Sequence, residues 1–503
     1  MKRLFSLILI MATLLAGCTA KSIETEPLTQ GMPLDTRTDI VIASGYDIVT
    51  LDPHEASDTY SIEVISMIYE QLIGVGKDGE YRPELAENWE IADDTQYVFH
   101  LKKGVHFHNG REMTAEDVVF SLNRATQHIT SKAALENVQS IEALDEYTVK
   151  ITTDTPYSTL MRNLTTSHTS ILCKTAVEND NLAEVSGTGP MIFTQYKPNY
   201  QTILTRNNEY WGEKATVSTL TRRVIPDDSA RTIALENGEI DYVSNLPSVD
   251  IARVKENPAL KTFETVSSNI AYLGFNTSKA PFNDTRVRQA LHFATDKQKI
   301  IDNIYEGYGT ACKSVFPTTL EGYNDELDLY PFDMERARKT LTASGYPDGF
   351  DMEIVLSADD RSRIAQLLQD DYKKLGVNIT INQMEFSSFL QYLEQDKHDA
   401  FIMSWSEGYN HDLSATTNFH SEGGNKMHYH NITVDQIIER ARETLDWEMR
   451  EPLYKELQHL VMRDSVWIPI IQHTYVSAMN KDLRFDEKKG NPRGYIDLIV
   501  KSE

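Results

Sequence analysis

Histidine and cysteine are the residues most able to bind a metal or supply a nucleophile, and the chain has 14 of the first and 3 of the second. His106 and His108 form one His-x-His pair, and His428 and His430 form another. On a strand, residues two apart share a face, so each pair could offer two ligands to one metal ion. His411 and His420 lie close to the second pair in sequence. Spacing fixes no third and fourth ligand, so the competing reading is histidines in polar rim loops. A phosphate cradle needs a glycine-rich turn ending in Gly-Lys-Ser/Thr, and none is present. Gly187-Thr188-Gly189-Pro190 is a lone turn in which Pro190 removes an amide that such a cradle would use. His-Glu-x-x-His and Gly-x-Ser-x-Gly are absent, so the commonest zinc-protease and serine-esterase signatures are missing. No cofactor is expected from these motifs.

The elements that would carry any site are legible in the periodicity. Ile40 to Ser44 reads as a short strand, and Ser61 to Ile73 has apolar residues at helical spacing. Tyr97 to Leu101 and Tyr147 to Ile151 alternate like half-buried strands. Thr114-Ala115-Glu116-Asp117 is a capping-box pattern that opens a helix. From Asp351 the pattern becomes β-α-β-α-β. Strand residues Met352, Ile354 and Leu356 precede helical residues Ile364 to Leu375, closed by Gly376. Val377 to Ile381 alternates, Phe386 to Leu393 is a short helix, and Ala400 to Trp405 is the next strand. Strands alternating with helices predict an α/β fold, a parallel or mixed sheet with helices on its faces. With no internal repeat and no inner linker, the lobes should be built from discontinuous segments.

Composition bounds the function. At 503 residues, 40% apolar and 25% charged, the chain is neither disordered nor a multi-span membrane protein. Acidic residues outnumber basic ones 75 to 49, giving a net charge of −26. A phosphate-binding surface needs the opposite excess, so nucleic acid is not an expected partner. Lys2 and Arg3 precede an apolar run from Leu4 to Gly17, too short to span a bilayer but suited to a signal peptide. It ends in Leu15-Ala16-Gly17-Cys18, which resembles a bacterial lipobox. That resemblance implies cleavage after residue 17 and a lipid on Cys18. The polar stretch 18–38 then reads as a tether. The expected location is the outer face of the cell membrane or the periplasm. There Cys173 and Cys312 could pair or remain buried thiols.

A series of blocks carries a family resemblance. Leu51-Asp52-Pro53-His54 is followed by Tyr69-Glu70-Gln71-Leu72 and by Pro83 to Trp89. Tyr97 to Gly110, Thr114 to Ser121, Gly187 to Pro190 and Asn207 to Gly212 come next. Gly238 to Asp241, Gly274 to Thr277, Pro281 to Asp284, Arg286 to Ala290 and Trp467 to Ile470 complete the order. Together they resemble the large peptide- and nickel-binding class of bacterial ABC-importer solute-binding proteins. The resemblance implies a two-lobed periplasmic-binding-protein-like fold (class II, three-domain peptide-binding type). Its sheets would be mixed, with helices on both faces. The implied division is a signal peptide at 1–17, a tether at 18–38, a first-lobe core from 39–75, 185–270 and 481–503, an extra domain at 76–184 and a second lobe at 271–480. It also implies a monomer without enzymatic chemistry that closes on a peptide and presents it to permease subunits.

The resemblance further implies site residues. In peptide-binding relatives the ligand lies as a strand beside a segment matching Met403 to Asn410, which places Trp405 and Tyr409 in the cleft. Some relatives have an aspartate three residues after the tryptophan, which holds the ligand's ammonium. This chain has Gly408 there, which leaves Glu407 or Asp412 as substitutes. Arg361 and Arg363, at the start of a helix, are the candidates for the ligand's carboxylate. Ser57, Asp58 and Thr59 match a ligand-contacting stretch of the opposite lobe. Two other readings stay open. One is a binder of nickel with a chelator, of haem or of another metal complex. The other is a secreted metallohydrolase using His428 and His430.

Overall fold

A computed structural model describes residues 38–485 and 498–500, apart from 77–78, 129, 179–184, 358–360 and 407–410. The expected signal peptide, Cys18, Glu407 and Tyr409 lie outside the described residues. Among the described residues no helix is long and apolar enough to cross a membrane.

Among the described residues eleven strands form one mixed sheet. Half of it runs Met191–Lys197, Gln201–Arg206, Thr219–Val224, Asp39–Ser44, Tyr242–Val243. The other half holds Ala400–Ser406, Asp351–Ser357 and Asn378–Met384, which run parallel to one another. Two long antiparallel strands, Leu260–Phe275 and Trp467–Asn480, belong to both halves. The expected boundaries at 270/271 and 480/481 fall inside the first of these strands and at the end of the second. The lobes are therefore joined by paired strands rather than loops.

Burial explains the strand sequences. Ile40 and Ile42 pack under the helix Thr59–Ile68, while Ala43 meets the helices Asp228–Glu236 and Ser248–Glu256 on the opposite face. A strand covered on both faces has no polar side, which is why Ile40 to Ala43 is an unbroken apolar run. Ile354, Val355 and Leu356 repeat this in the second half. The helix Arg361–Tyr372 ends in a 3-10 turn at Leu375, and Gly376 caps it at φ 81°, where a Cβ would be strained. The helix expected at 61–73 is shorter. It ends at Ile68, and Tyr69 to Leu72 leave it to enter the extra domain.

That extra domain is a four-stranded antiparallel sheet, ordered Ala86–Asp93, Gln96–Leu101, Thr148–Thr153, Val138–Asp145. Tyr97, Phe99, Leu101, Val149 and Ile151 face a core closed by the helix Ala115–Ala125. Thr114 and Asp117 form the expected capping box.

The family blocks converge on one buried carboxylate. Glu70, 3% exposed, accepts from Tyr210 Oη at 2.6 Å, Thr188 Oγ1 at 2.8 Å and Trp211 Nε1 at 2.9 Å. Thr188 reaches it because Gly187 and Gly189 press against the helix end; a Cβ on Gly187 would sit 1.9 Å from the Ile68 carbonyl oxygen. Asn207 and His108 both donate to the Gly189 carbonyl. Residues from four separated blocks thus clamp the extra domain to the first half-sheet. Asp52 and His54 do similar work on Arg124, and His54 also bonds the Ser170 carbonyl.

Burial, with the nearby Glu84 charge, raises the Glu70 carboxyl to about 7 against the pull of its three donors. An unfolded chain releases this proton near the ordinary glutamate value, so stability is greatest below it and is lost as pH rises towards 7. Relative to Glu70→Gln, wild type should lose on the order of 2–3 kcal/mol across that window. Urea unfolding at a series of pH values measures it. A constant difference between the two proteins would contradict the account.

Candidate ligand-binding cleft

The crossing strands change register in mid-course. Pairing runs from Leu260↔Asn480 to Val266↔Thr474, then resumes at Ile270↔Gln472. The buried Gln472 side chain holds the break: its Nε2 donates to the Ser267 carbonyl at 2.7 Å, and its Oε1 accepts from Thr318 N and Oγ1. Asn269 N donates to Ser267 Oγ at 3.1 Å. A bulge bends strands and weakens the local ladder, so this is where one half-sheet can turn against the other.

Both half-sheets aim strand ends at the break. Val243 pairs with Ala478, and Asp39–Ser44 runs parallel to Tyr242–Val243, so Ser44 points along the crossing strand towards Gln472. From the other side Ser406 pairs with Asn269. Carboxyl ends of strands facing a crevice are the usual ligand position in open α/β sheets.

The second wall carries Trp405 and Arg361. Trp405 is half-buried, and its Nε1 donates to Ser414 Oγ at 2.7 Å. Arg361 donates to Ser357 Oγ at 3.2 Å and Ser404 Oγ at 3.4 Å, which fixes its guanidinium at the strand ends. Arg363 is exposed and donates instead to the Asn303 carbonyl. The strand carrying Trp405 is open on one side. The whole of Ala400–Ser406 pairs with Leu260–Phe275, but Asp351–Ser357 covers its other edge only through Ile402 among the described residues. Met403 to Ser406 therefore have no strand partner on that side among the described residues, and this edge lies beside Arg361.

Asp412 does not stand at this edge as an unengaged carboxylate. It is buried, and Arg442 Nε donates to both its oxygens at 2.9 and 3.1 Å. Burial pushes its carboxyl up while Arg442 and Thr416 hold it down. Asp58 caps the helix Thr59–Ile68, accepting from Ser61 N at 2.8 Å, and Ser57 and Thr59 are exposed beside it.

The first wall holds a residue that sequence reasoning missed. Arg222 is 1% exposed and donates through Nη2 to Ser44 Oγ and to the Tyr46 carbonyl. Its Nε and Nη1 have no partner among the described residues. The signal was present: in Thr219–Val224, Arg222 shares the inward face with Leu220, and a charge at an inward position is informative.

The histidine pairs do not assemble. His108 bonds the Gly189 carbonyl, His106 bonds Gly104, and His428 pairs with Asp396. No group of three His, Cys, Asp or Glu side chains among the described residues is placed to hold a metal. Cys173 and Cys312 are both buried and free.

Residues 80–427 match the family described as bacterial extracellular solute-binding proteins, family 5. The chain belongs to this family. It is 32% identical to heme-binding protein A of Haemophilus influenzae over 446 residues, which cover 80% of this chain and 81% of that one. It is 29% identical to the dipeptide-binding protein of Escherichia coli, with 87% of each chain covered. The solved structure of the periplasmic binding protein DppA from Helicobacter pylori, in complex with the peptide STSA, superposes at a TM-score of 0.82. It shares 26% identity and covers 92% of this chain and 98% of that chain. The two-lobed fold expected of a solute-binding protein is thus the fold of this chain.

Asp412→Asn should destabilise the protein by up to about 3 kcal/mol, because Arg442 then loses its buried counter-charge. Thermal unfolding of this variant and of Asp412→Asn/Arg442→Gln measures it. The double variant should recover part of the loss. An unchanged unfolding temperature together with weakened ligand binding would instead make Asp412 a ligand contact.

Proposed function

We propose that this protein is the lipid-anchored binding component of an ABC importer, that it captures peptides between its lobes, and that it performs no chemistry on them. The unpaired edge of Met403 to Ser406 carries the reading. A peptide added there gains backbone hydrogen bonds that ignore its side chains, so one site can accept many sequences. Arg361 stands at the same edge, with a planar fork suited to a terminal carboxylate. Two of the relatives named above support the same class, a dipeptide-binding protein and a structure in complex with the peptide STSA, while the third is a heme-binding protein. Glu407 or a residue near it would meet the ammonium, with Tyr409 and Trp405 lining the strand. Ser57 to Thr59 would meet the ligand from the opposite lobe. Delivery to permease subunits as a monomer, anchored through Cys18, completes the proposal.

Calorimetry with free, C-terminally amidated and backbone N-methylated forms of one peptide tests it. Wild type should reject the amidated form, and Arg361→Ala should discriminate about tenfold less between free and amidated peptide. N-methylation on the paired edge should abolish binding. Equal affinity for all three forms would rule out a strand-paired peptide. Scattering should show a smaller radius with ligand, since closing two lobes over it excludes water from its charges. For the anchor, Cys18→Ser should abolish labelling by a radioactive fatty acid; retained label would refute it.

A further inference from the structure

A second chamber lies between the lobes and shares no lining residue with the cleft. Its volume is about 380 Å³. Tyr81 and Arg162 of the extra domain face Glu321, His411, Trp447 and Arg450 of the second lobe across it. Pockets of this size at domain interfaces are a usual form of small-molecule site, and this one mixes aromatic and charged side chains. A direct latch marks its rim. Ser158 N donates to the Arg442 carbonyl at 2.9 Å and Ser158 Oγ to the Ala441 carbonyl at 3.1 Å. The extra domain thereby caps the end of the second-lobe helix Ile432–Glu443. The chamber has both walls only while this contact holds.

Its charges are ordered. Arg162 and Arg450 are half-buried, whereas Glu80 and Glu321 are exposed. Cations therefore sit inside and carboxylates at the mouth. Arg450 lies over the Trp447 ring at 5.0 Å and donates through Nη1 to the Thr444 carbonyl. No carboxylate is within ion-pair reach of it among the described residues. His411 stacks on Tyr454 with centroids 4.7 Å apart and donates to the Glu321 carbonyl. Burial and the two guanidinium charges hold His411 at about 4, so it is neutral at pH 7 and adds no third cation.

From this arrangement we infer that the chamber binds an aromatic α-amino acid, free or as the end of a longer molecule. The carboxylate lies on Arg450 and Arg162, the ring among Tyr81, Trp447 and Tyr454, and the ammonium at Glu321. A guanidinium held over an indole ring and tied to the Thr444 carbonyl is pre-organised for a carboxylate. An aromatic ring fills a mixed chamber better than an aliphatic chain of equal charge. Because the ligand touches both lobes, it favours the latched state. The inference does not depend on the cleft being a peptide site.

Calorimetry of the full mature chain with L-phenylalanine, N-acetyl-L-phenylalanine, L-phenylalaninamide and L-leucine tests it. Wild type should bind L-phenylalanine best. Arg450→Gln should weaken that binding about tenfold or more, the loss of a charge-assisted contact. Glu321→Gln, an exposed substitution that leaves the fold intact, should narrow the preference for L-phenylalanine over its N-acetyl form. Arg361→Ala, in the cleft, should bind L-phenylalanine like wild type. A reduced affinity of L-phenylalaninamide alone would identify a free acid as the ligand, whereas tight binding of L-phenylalanyl peptides blocked at neither end would favour a chain terminus. Absence of binding, wild-type affinity in both Arg450→Gln and Glu321→Gln, or loss in Arg361→Ala alone would overturn the inference. Failure of the peptide measurements with this binding intact would strike the cleft reading and leave the chamber standing.

Discussion

A strand must be hydrogen-bonded along its length, and two strands here must satisfy that demand in both lobes at once. Leu260–Phe275 and Trp467–Asn480 meet it by pairing with each other along most of their length, with a wide register break beside Ser267 to Asn269 and a smaller shift between Ala271 and Tyr272. Everything functional is referred to that break. The half-sheets meet there, and the strand ends on either side form the cleft walls. Gln472 supplies the bonds that the shifted ladder cannot, so the break is satisfied rather than strained.

Satisfaction of buried polar groups explains the motifs as well. Glu70 costs desolvation energy and recovers part of it from three donors, each delivered by a different stretch of chain. Such a network is a poor source of net stability but a strong constraint on how two domains dock. Gly187 and Gly189 are needed because the turn carrying Thr188 must lie directly on the end of a helix.

Periodicity revealed the elements because burial is local. Ile354 to Leu356, the capping box at Thr114 and Gly376 each announce themselves through nearest neighbours. The bounds slipped where a tertiary partner intervened, as at Tyr69, where the chain leaves its helix to reach the extra domain. Site residues were less legible because their roles depend on long-range partners. Arg361 and Arg363 are indistinguishable in sequence, yet one meets Ser357 and Ser404 while the other meets Asn303. Asp412 looks available until Arg442, thirty positions later, is folded onto it. Arg222 was legible in principle, as a charge at an inward strand position.

Charge decides what kind of ligand suits such a body. A net charge of −26 repels anions at long range, although salt screens the field beyond about 8 Å. Inside that distance Arg361 stands at the strand ends of one wall, while Arg222 lies buried behind the other. An anion gains there what it loses on approach, while a cation is attracted by the body and repelled at the walls. A zwitterion escapes both penalties: it carries no net charge through the outer field and can still offer a carboxylate at close range. The open edge of Met403 to Ser406 adds backbone pairing that needs no charge at all. Long-range repulsion and a short-range arginine therefore suit a ligand that approaches without net negative charge and still offers a carboxylate at close range.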